Sequence, residues 1–261
     1  MNSPVLSASR DDATRGAPLA GKTAFVTGGA RGIGASIVRR LARDGAHVAF
    51  TYRGSAQQAR ALAAELEAGG ARALALQADV ADPQAVAQAV DAAALEFGGV
   101  DILVNNAGAL FLGPIETFSL DDFDRTLDLN VRAVFVASKA VLPHMPDGGR
   151  IINIGSVNAD RMPFPGGAAY AMSKSALQGL VRGMARDLGP RGITVNNVQP
   201  GPTNTDMNPE SGEFAEMLHG LMALPRHARP EEIAGMVAYL AGPEAGFVTG
   251  ASLTIDGGFG A

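Results

Sequence analysis

A chain of 261 residues, 47% hydrophobic and 18% charged, carries enough apolar material for one sizeable core. Its net charge of −5 and the lack of clustered Lys and Arg argue against nucleic acid as a partner. No apolar stretch reaches the length that spans a bilayer. Cys is absent and the four His are scattered, so disulfides, thiolate centres, a Cys nucleophile and a metal site are not expected. Met1 to Leu19 are polar, of mixed charge and without an apolar run. They read as a disordered tail rather than a secretory signal, and a cytoplasmic location is the default expectation.

Lys22-Thr23-Ala24-Phe25-Val26-Thr27 has the length and composition of a strand and leads directly into Gly28-Gly29-Ala30-Arg31-Gly32-Ile33-Gly34. A helical pattern follows, with Ile33, Ile37, Val38 and Leu41 apolar, closed by Asp44-Gly45. Strand, glycine turn and helix together are the setting in which missing side chains let backbone N–H groups approach a dinucleotide pyrophosphate. The second strand, His47 to Tyr52, ends in Arg53, Gly54 and Ser55 with no acid nearby. An Asp or Glu there would hold a free ribose 2′-OH. Arg53 and Arg31 read either as two solvated arginines or as a clasp for a 2′-phosphate. The missing acid favours the second reading, and with it NADP(H) over NAD.

A helix is expected over Ala56 to Ala68, then a third strand over Ala71 to Gln77 followed by Asp79-Val80. Asp82-Pro83 already provides the cap and first position of the next helix. Asp79 is therefore available for the adenine edge. Strand four, Asp101 to Val104, runs into Asn105-Asn106-Ala107-Gly108, whose small residues leave room for a ribose and which reads equally as a tight polar turn. One long helix is expected from Asp121 to Met145, with Asn130 in its middle either on the surface or holding a water that leads to Lys174.

Strand five, from Ile151, ends at Ser156. The helix after it carries Tyr170 and Lys174 four residues apart, hence on one face. The pair alone reads equally as a packed ring with a snorkelling Lys stem. An ammonium about 4 Å from a phenol contributes roughly 4 kcal/mol at an effective dielectric near 20, about three pK units. That would bring the phenol toward the range of general acid–base work, with the Ser156 hydroxyl offered to the same pocket. Ala171, Ser175, Gly179 and Gly183 form a small-residue stripe on this helix, suited either to tight packing on its own sheet or to another subunit. Strand six, Ile193 to Val198, leads to Pro200-Gly201-Pro202-Thr203. Residues 202–225 are irregular and Met-rich, as a substrate lid would be. A helix from Pro230 to Leu240 and a strand from Ser252 to Ile255 complete the pattern. Seven strands alternating with helices predict one Rossmann-type, doubly wound parallel sheet across residues 20–261.

With these residues in place, the chain resembles the short-chain dehydrogenase/reductase family, in its 3-oxoacyl-carrier-protein-reductase-like group, from about Leu19 to Ala261. The resemblance rests on Thr27-Gly28-x-x-x-Gly32-x-Gly34, Asp79, Asn105-Asn106-Ala107-Gly108, Asn130, Ser156, Tyr170-x-x-x-Lys174 and Pro200-Gly201. It implies that Tyr170 is the acid/base, that Ser156 orients the substrate oxygen and that Lys174 lowers the tyrosine pKa and holds the nicotinamide ribose. It implies further that Asn130 supports a proton relay, that Thr203 meets the carboxamide and that the protein is a homotetramer. Ser156 and Tyr170 stand about one residue further apart than is commonest in the family, a difference the loop Pro163-Phe164-Pro165-Gly166 can absorb. The expected activity is hydride transfer between NADPH and a small-molecule carbonyl or secondary alcohol. Residues 154–180 and 226–261 also look like a bacterial family member that binds cyclic di-GMP and acts in biofilm dispersal. The alternative is therefore a cyclic-dinucleotide-binding regulator on the same fold.

Overall fold

Seven short apolar runs pair, all in parallel, into one sheet of order β3-β2-β1-β4-β5-β6-β7. The strands are β1 (Thr23–Val26), β2 (His47–Tyr52), β3 (Ala73–Gln77), β4 (Ile102–Asn105), β5 (Arg150–Ile154), β6 (Thr194–Pro200) and β7 (Ser252–Ile255). This is the Rossmann-type arrangement expected, in a computed structural model that describes residues 17–261. Residues 1–16, the larger part of the expected tail, lie outside the described residues. Leu19, assigned to that tail from sequence, is only 2% exposed, and its N–H donates to the Asp44 carbonyl at 2.8 Å. The core therefore already includes it.

Parallel strands need crossover helices, and these cover both faces. α1 (Gly32–Arg43), α2 (Ala56–Ala68) and α8 (Pro230–Ala241) pack on one face, where Ile37, Leu41, Leu62 and Val237 meet Val26, Phe50 and Ile152. α3 (Pro83–Phe97), α5 (Ala133–Val141) and α6 (Ala168–Leu188) cover the other through Val90, Val141 and Val181 against Phe25, Leu103 and Ile151. As expected, Asp82 caps α3 by accepting from the Gln84 N–H at 2.8 Å.

The long helix expected over 121–145 forms, in continuous αR backbone from Leu120 to Val141, but one of its turns is wider. α4 (Leu120–Leu127) passes into one π-helical turn at Asp128–Arg132 before α5. Asn130 in that turn is buried and holds the backbone of Ala109, as described below. A second difference lies in the segment read as irregular: α7 (Glu213–His219) forms there, with Leu218 packed on Val157 and Phe259. Polar side chains cross the sheet interior. Asn105 Nδ2 donates to Asn153 Oδ1 at 2.9 Å and to Ser138 Oγ at 3.1 Å, while Asn196 Nδ2 donates to the Val248 carbonyl at 2.7 Å.

Candidate active site

The chain reverses its winding between β1 and β4, and ligands of open α/β sheets bind at the carboxyl ends of the strands at such a point. A cleft of ≈ 670 Å³ opens there. Its floor is the glycine loop. Gly28 and Gly32 adopt φ of 64° and 54°, a region side chains avoid, and a Cβ on Gly34 would overlap the Gly28 carbonyl oxygen. Arg31, the N-cap of α1, gives no side-chain cap, so among the described residues the first N–H groups of that helix are left without partners. These are the donors and the bare backbone that a pyrophosphate fits. The loop is braced from behind. Thr27 Oγ1 accepts from the N–H groups of Asn106 and Ala107 at 3.0 Å, and Asn106 Nδ2 donates to the carbonyls of Thr27 and Gly28 at 3.0 Å. The Asn106 side chain thus supports the loop rather than reaching into the cleft.

At the far end of the cleft, Arg53 and Arg31 are both largely exposed and only loosely matched, to Asp79 at 4.0 Å and Asp206 at 3.7 Å. Ser55 is the N-cap of α2 and makes no side-chain cap there, which leaves a second uncapped helix start beside Arg53. Asp79 Oδ1 accepts from the Ala81 N–H at 3.0 Å, so one of its oxygens holds its own loop. Arginines, an uncapped helix start and the lack of a carboxylate at the end of β2 fit a 2′-phosphorylated dinucleotide.

The opposite end is built from β5 and the first two turns of α6. Ser156 follows β5, and its Oγ accepts from the Asn158 N–H at 3.1 Å and donates to Asn158 Oδ1 at 3.3 Å. It also lies within reach of the Tyr170 phenol and makes that group more acidic. Burial acts more strongly in the other direction, so the Tyr170 pKa stands above its ordinary value. Lys174 is buried one turn further on, its Nζ donating to the Ile154 carbonyl at 2.9 Å and lying 5.9 Å from the Tyr170 ring centroid. Burial pushes its pKa down to about 8.

The expectation that Lys174 lowers the phenol's pKa is therefore not met in the free chain. With its pKa near 8 against a raised phenol pKa, Lys174 is the first of the two to lose its proton. At neutral pH, however, it is a cation beside a protonated phenol.

Of the residues expected from sequence, Gly28, Arg31, Gly32, Ile33, Gly34, Arg53, Ser55, Asp79 and Val80 line this one cleft. So do Asn106, Ala107, Gly108, Ser156, Tyr170, Lys174, Pro200, Gly201 and Thr203. Asn130 does not. It is buried behind Gly108, its Oδ1 accepting from the Ala109 N–H and its Nδ2 donating to the Ala109 carbonyl and to Ser173 Oγ, at 2.9–3.0 Å. The Thr203 hydroxyl is turned back on the Gly201 carbonyl at 3.0 Å. Sequence reasoning gave Thr27 a place in the glycine motif but no role, and it missed Asn158. The role of Thr27 could have been read from its hydroxyl, placed where β1 meets the glycine turn, but nothing in the sequence marked Asn158.

Residues 28–260 match the family model described as enoyl-(acyl carrier protein) reductase. The chain is 56% identical over 241 residues to the cyclic-di-GMP-binding biofilm dispersal mediator protein of Escherichia coli K12, spanning 92% of this chain and 98% of that protein. Among solved structures, a short-chain dehydrogenase/reductase from Serratia marcescens is 64% identical, with a TM-score of 0.93 over 94% of this chain and all of that one. A short chain dehydrogenase from Burkholderia cenocepacia, solved with NADP, is 54% identical, with a TM-score of 0.92 and the same coverage.

Proposed function

The chain belongs to the short-chain dehydrogenase/reductase family of oxidoreductases, and from that premise we propose that it is an NADPH-dependent reductase of a carbonyl substrate, with Tyr170 as the proton donor. The observation that carries this reading is the meeting of Ser156, Tyr170 and Lys174 at one end of the cleft whose floor is the uncapped first turn of α1. The NADP held by the Burkholderia relative supports the choice of cofactor. NADPH, when bound, supplies the hydride.

Everything else falls to the side chains. Gly28, Gly32 and Gly34 admit the pyrophosphate, Arg31, Arg53 and Ser55 hold the 2′-phosphate, and Asp79 and Val80 flank the adenine. Lys174 holds the nicotinamide ribose, Thr203 turns its hydroxyl to the carboxamide, and Pro200-Gly201 shape that end of the cleft.

Ser156 turns its hydroxyl from Asn158 to the substrate oxygen and fixes it beside the Tyr170 phenol. Tyr170 then gives its proton to that oxygen. Its raised pKa keeps the proton in place at neutral pH until the oxygen becomes basic. The phenolate left behind faces the Lys174 ammonium, which at neutral pH is still charged. Asn130 acts through its grip on Ala109 and Ser173, as a positioning residue. Residues 202–225, with α7, form the lid over the substrate.

Absorbance of NADPH across a panel of ketones and aldehydes tests the reading. Turnover of at least one member is expected, and Tyr170→Phe abolishes it while NADPH binding, followed by fluorescence, stays near the parent value. Equal turnover in the variant overturns the mechanism.

The Escherichia coli relative supports a second reading, in which the same fold binds a cyclic dinucleotide without turnover. Stoichiometric cyclic-di-GMP binding with no NADPH oxidation across the panel would favour it. Assembly as a homotetramer is part of the proposal, since a Cβ at Gly179 or Gly183 on α6 would meet nothing within 4 Å in the isolated chain.

A further inference from the structure

Tyr170, Lys174 and Gln178 lie four residues apart on α6 and form one stripe. The first two belong to the cleft. Gln178 continues the row away from it, and its Nε2 donates to Asp160 Oδ1 at 2.7 Å and to Gln199 Oε1 at 3.3 Å. Gln199, near the end of β6, is 0% exposed. Its Nε2 donates to Asp160 Oδ2 at 2.6 Å and to the backbone carbonyl of Ser156 at 3.2 Å. That carbonyl also accepts from the Ala159 N–H at 3.0 Å within its own turn. Gln199 is what ties it to the ring and, through Gln178, to α6. The three side chains close a ring in which both carboxylate oxygens and the buried amide are matched. The turn Val157–Ala159 is tied to α6 a second time, by Ser175 Oγ donating to the Ala159 carbonyl at 2.7 Å.

A buried glutamine in a strand is costly unless its amide is fully bonded. Here the bonding runs to the one residue whose hydroxyl must be aimed. Ser156 also leaves β5 without help from its own side chain, whose Oγ is engaged with Asn158 in the following turn. The direction of its Cα–Cβ bond is therefore set by what holds its peptide.

We propose that Gln178, Asp160 and Gln199 are positioning residues that hold Ser156 at a fixed distance and angle from the Tyr170 phenol, by clamping the Ser156 carbonyl to the helix that carries Tyr170. The inference rests on the reductase reading above. It assigns the ring a part in kcat and none in NADPH binding, since none of the three side chains touches the glycine loop or the two arginines.

Two variants test it in the full chain, alongside Tyr170→Phe. Gln199→Leu removes the side-chain donor to Ser156, leaving the Ala159 N–H, with little change of volume. A fall in kcat of about 10- to 100-fold is expected, with the NADPH dissociation constant unchanged, because small misplacements of a positioning group cost that much. Without NADPH or substrate, ultraviolet titration should show one phenol moving to higher pH as Ser156 drifts from Tyr170. That transition should be missing in the double variant with Tyr170→Phe. Gln199→Glu combined with Asp160→Asn rebuilds the ring with its polarity reversed but takes away the Gln199 donor, leaving the Ser156 carbonyl only the Ala159 N–H of its own turn. Its Tm is expected near the parent's, with kcat still down by about 10-fold or more. A double variant that recovers both Tm and kcat overturns the proposal, because the ring would then be structural only. So does a Gln199→Leu enzyme within about twofold of the parent kcat, or one with an unmoved phenol. If Tyr170→Phe retains turnover, the reductase reading falls and the positioning role with it. If Tyr170→Phe is inactive while the Gln199 variants work normally, the positioning role alone falls.

Discussion

Lys174 and Tyr170 share one face of α6, Lys174 buried and Tyr170 half-buried at the cleft wall, with the ammonium 5.9 Å from the ring centroid, and desolvation moves their pKa values in opposite directions. The lysine is pushed down to about 8 while the phenol is raised. Turnover that depends on a charged Lys174 should therefore fall as pH rises through about 8. No phenolate absorbance should accompany that fall. A profile that declines only where the phenol itself ionises would show that the lysine charge is not needed.

The same burial makes a stability prediction of definite sign. Below about 8, folded and unfolded chains both carry the Lys174 proton, and the native state bears the cost of the buried charge. Between about 8 and 10.5 the unfolded chain binds more protons, so stability rises with pH. Urea denaturation of the parent across this range should show that rise. Lys174→Met should lack it.

Among the described residues Arg31 and Arg53 are matched only by loose, exposed carboxylates, which leaves both able to bind a phosphate. Charge-assisted hydrogen bonds contribute roughly 1.5–3 kcal/mol each. The double variant Arg31→Ala/Arg53→Ala should lose about 100-fold or more of its preference for NADPH over NADH, with NADH kinetics little changed. An unchanged ratio would exclude the 2′-phosphate clasp.

Gly34 has no room for a side chain, because a Cβ would run into the Gly28 carbonyl and the Asn106 amide. Gly34→Ala should weaken NADPH binding at least about 10-fold and lower Tm, since the loop must shift to admit the methyl. Titration by fluorescence and a thermal melt check both effects.

Asn130→Leu removes three hydrogen bonds and leaves the half-buried N–H and carbonyl of Ala109 without their side-chain partner. Each orphaned group costs about 1–3 kcal/mol, so a marked drop in urea midpoint is expected. A midpoint within error of the parent would mean that the π turn holds without the amide.

The sheet was legible because buried parallel strands are short apolar runs, and β2 and β7 fall on the residues their composition marks. The glycine loop and the Tyr170–Lys174 pair were legible because their spacing carries their geometry. The π turn between α4 and α5 was not. No Gly or Pro marks Asp128–Arg132, and its cause is a tertiary bond from Asn130 to a backbone 21 residues earlier. α7 went unread because seven residues give too short a period, and its footing is Leu218 on Phe259 rather than propensity. The strand Thr194–Pro200 did hold a signal that went unused. Asn196, Asn197 and Gln199 stand in a strand with no exposed position, and polar groups so placed must have partners.

The amides of Asn105 and Asn153 also bear on how the chain assembles. A parallel strand that slipped by one residue would turn its inward set outward. An all-valine seam would tolerate that error as greasy misalignment. Here it would break the Asn105–Asn153 bond in an interior where Asn105 Oδ1 and Asn153 Nδ2 already lack partners among the described residues, so the polar stitch between β4 and β5 works as a proofreading mark that favours one alignment.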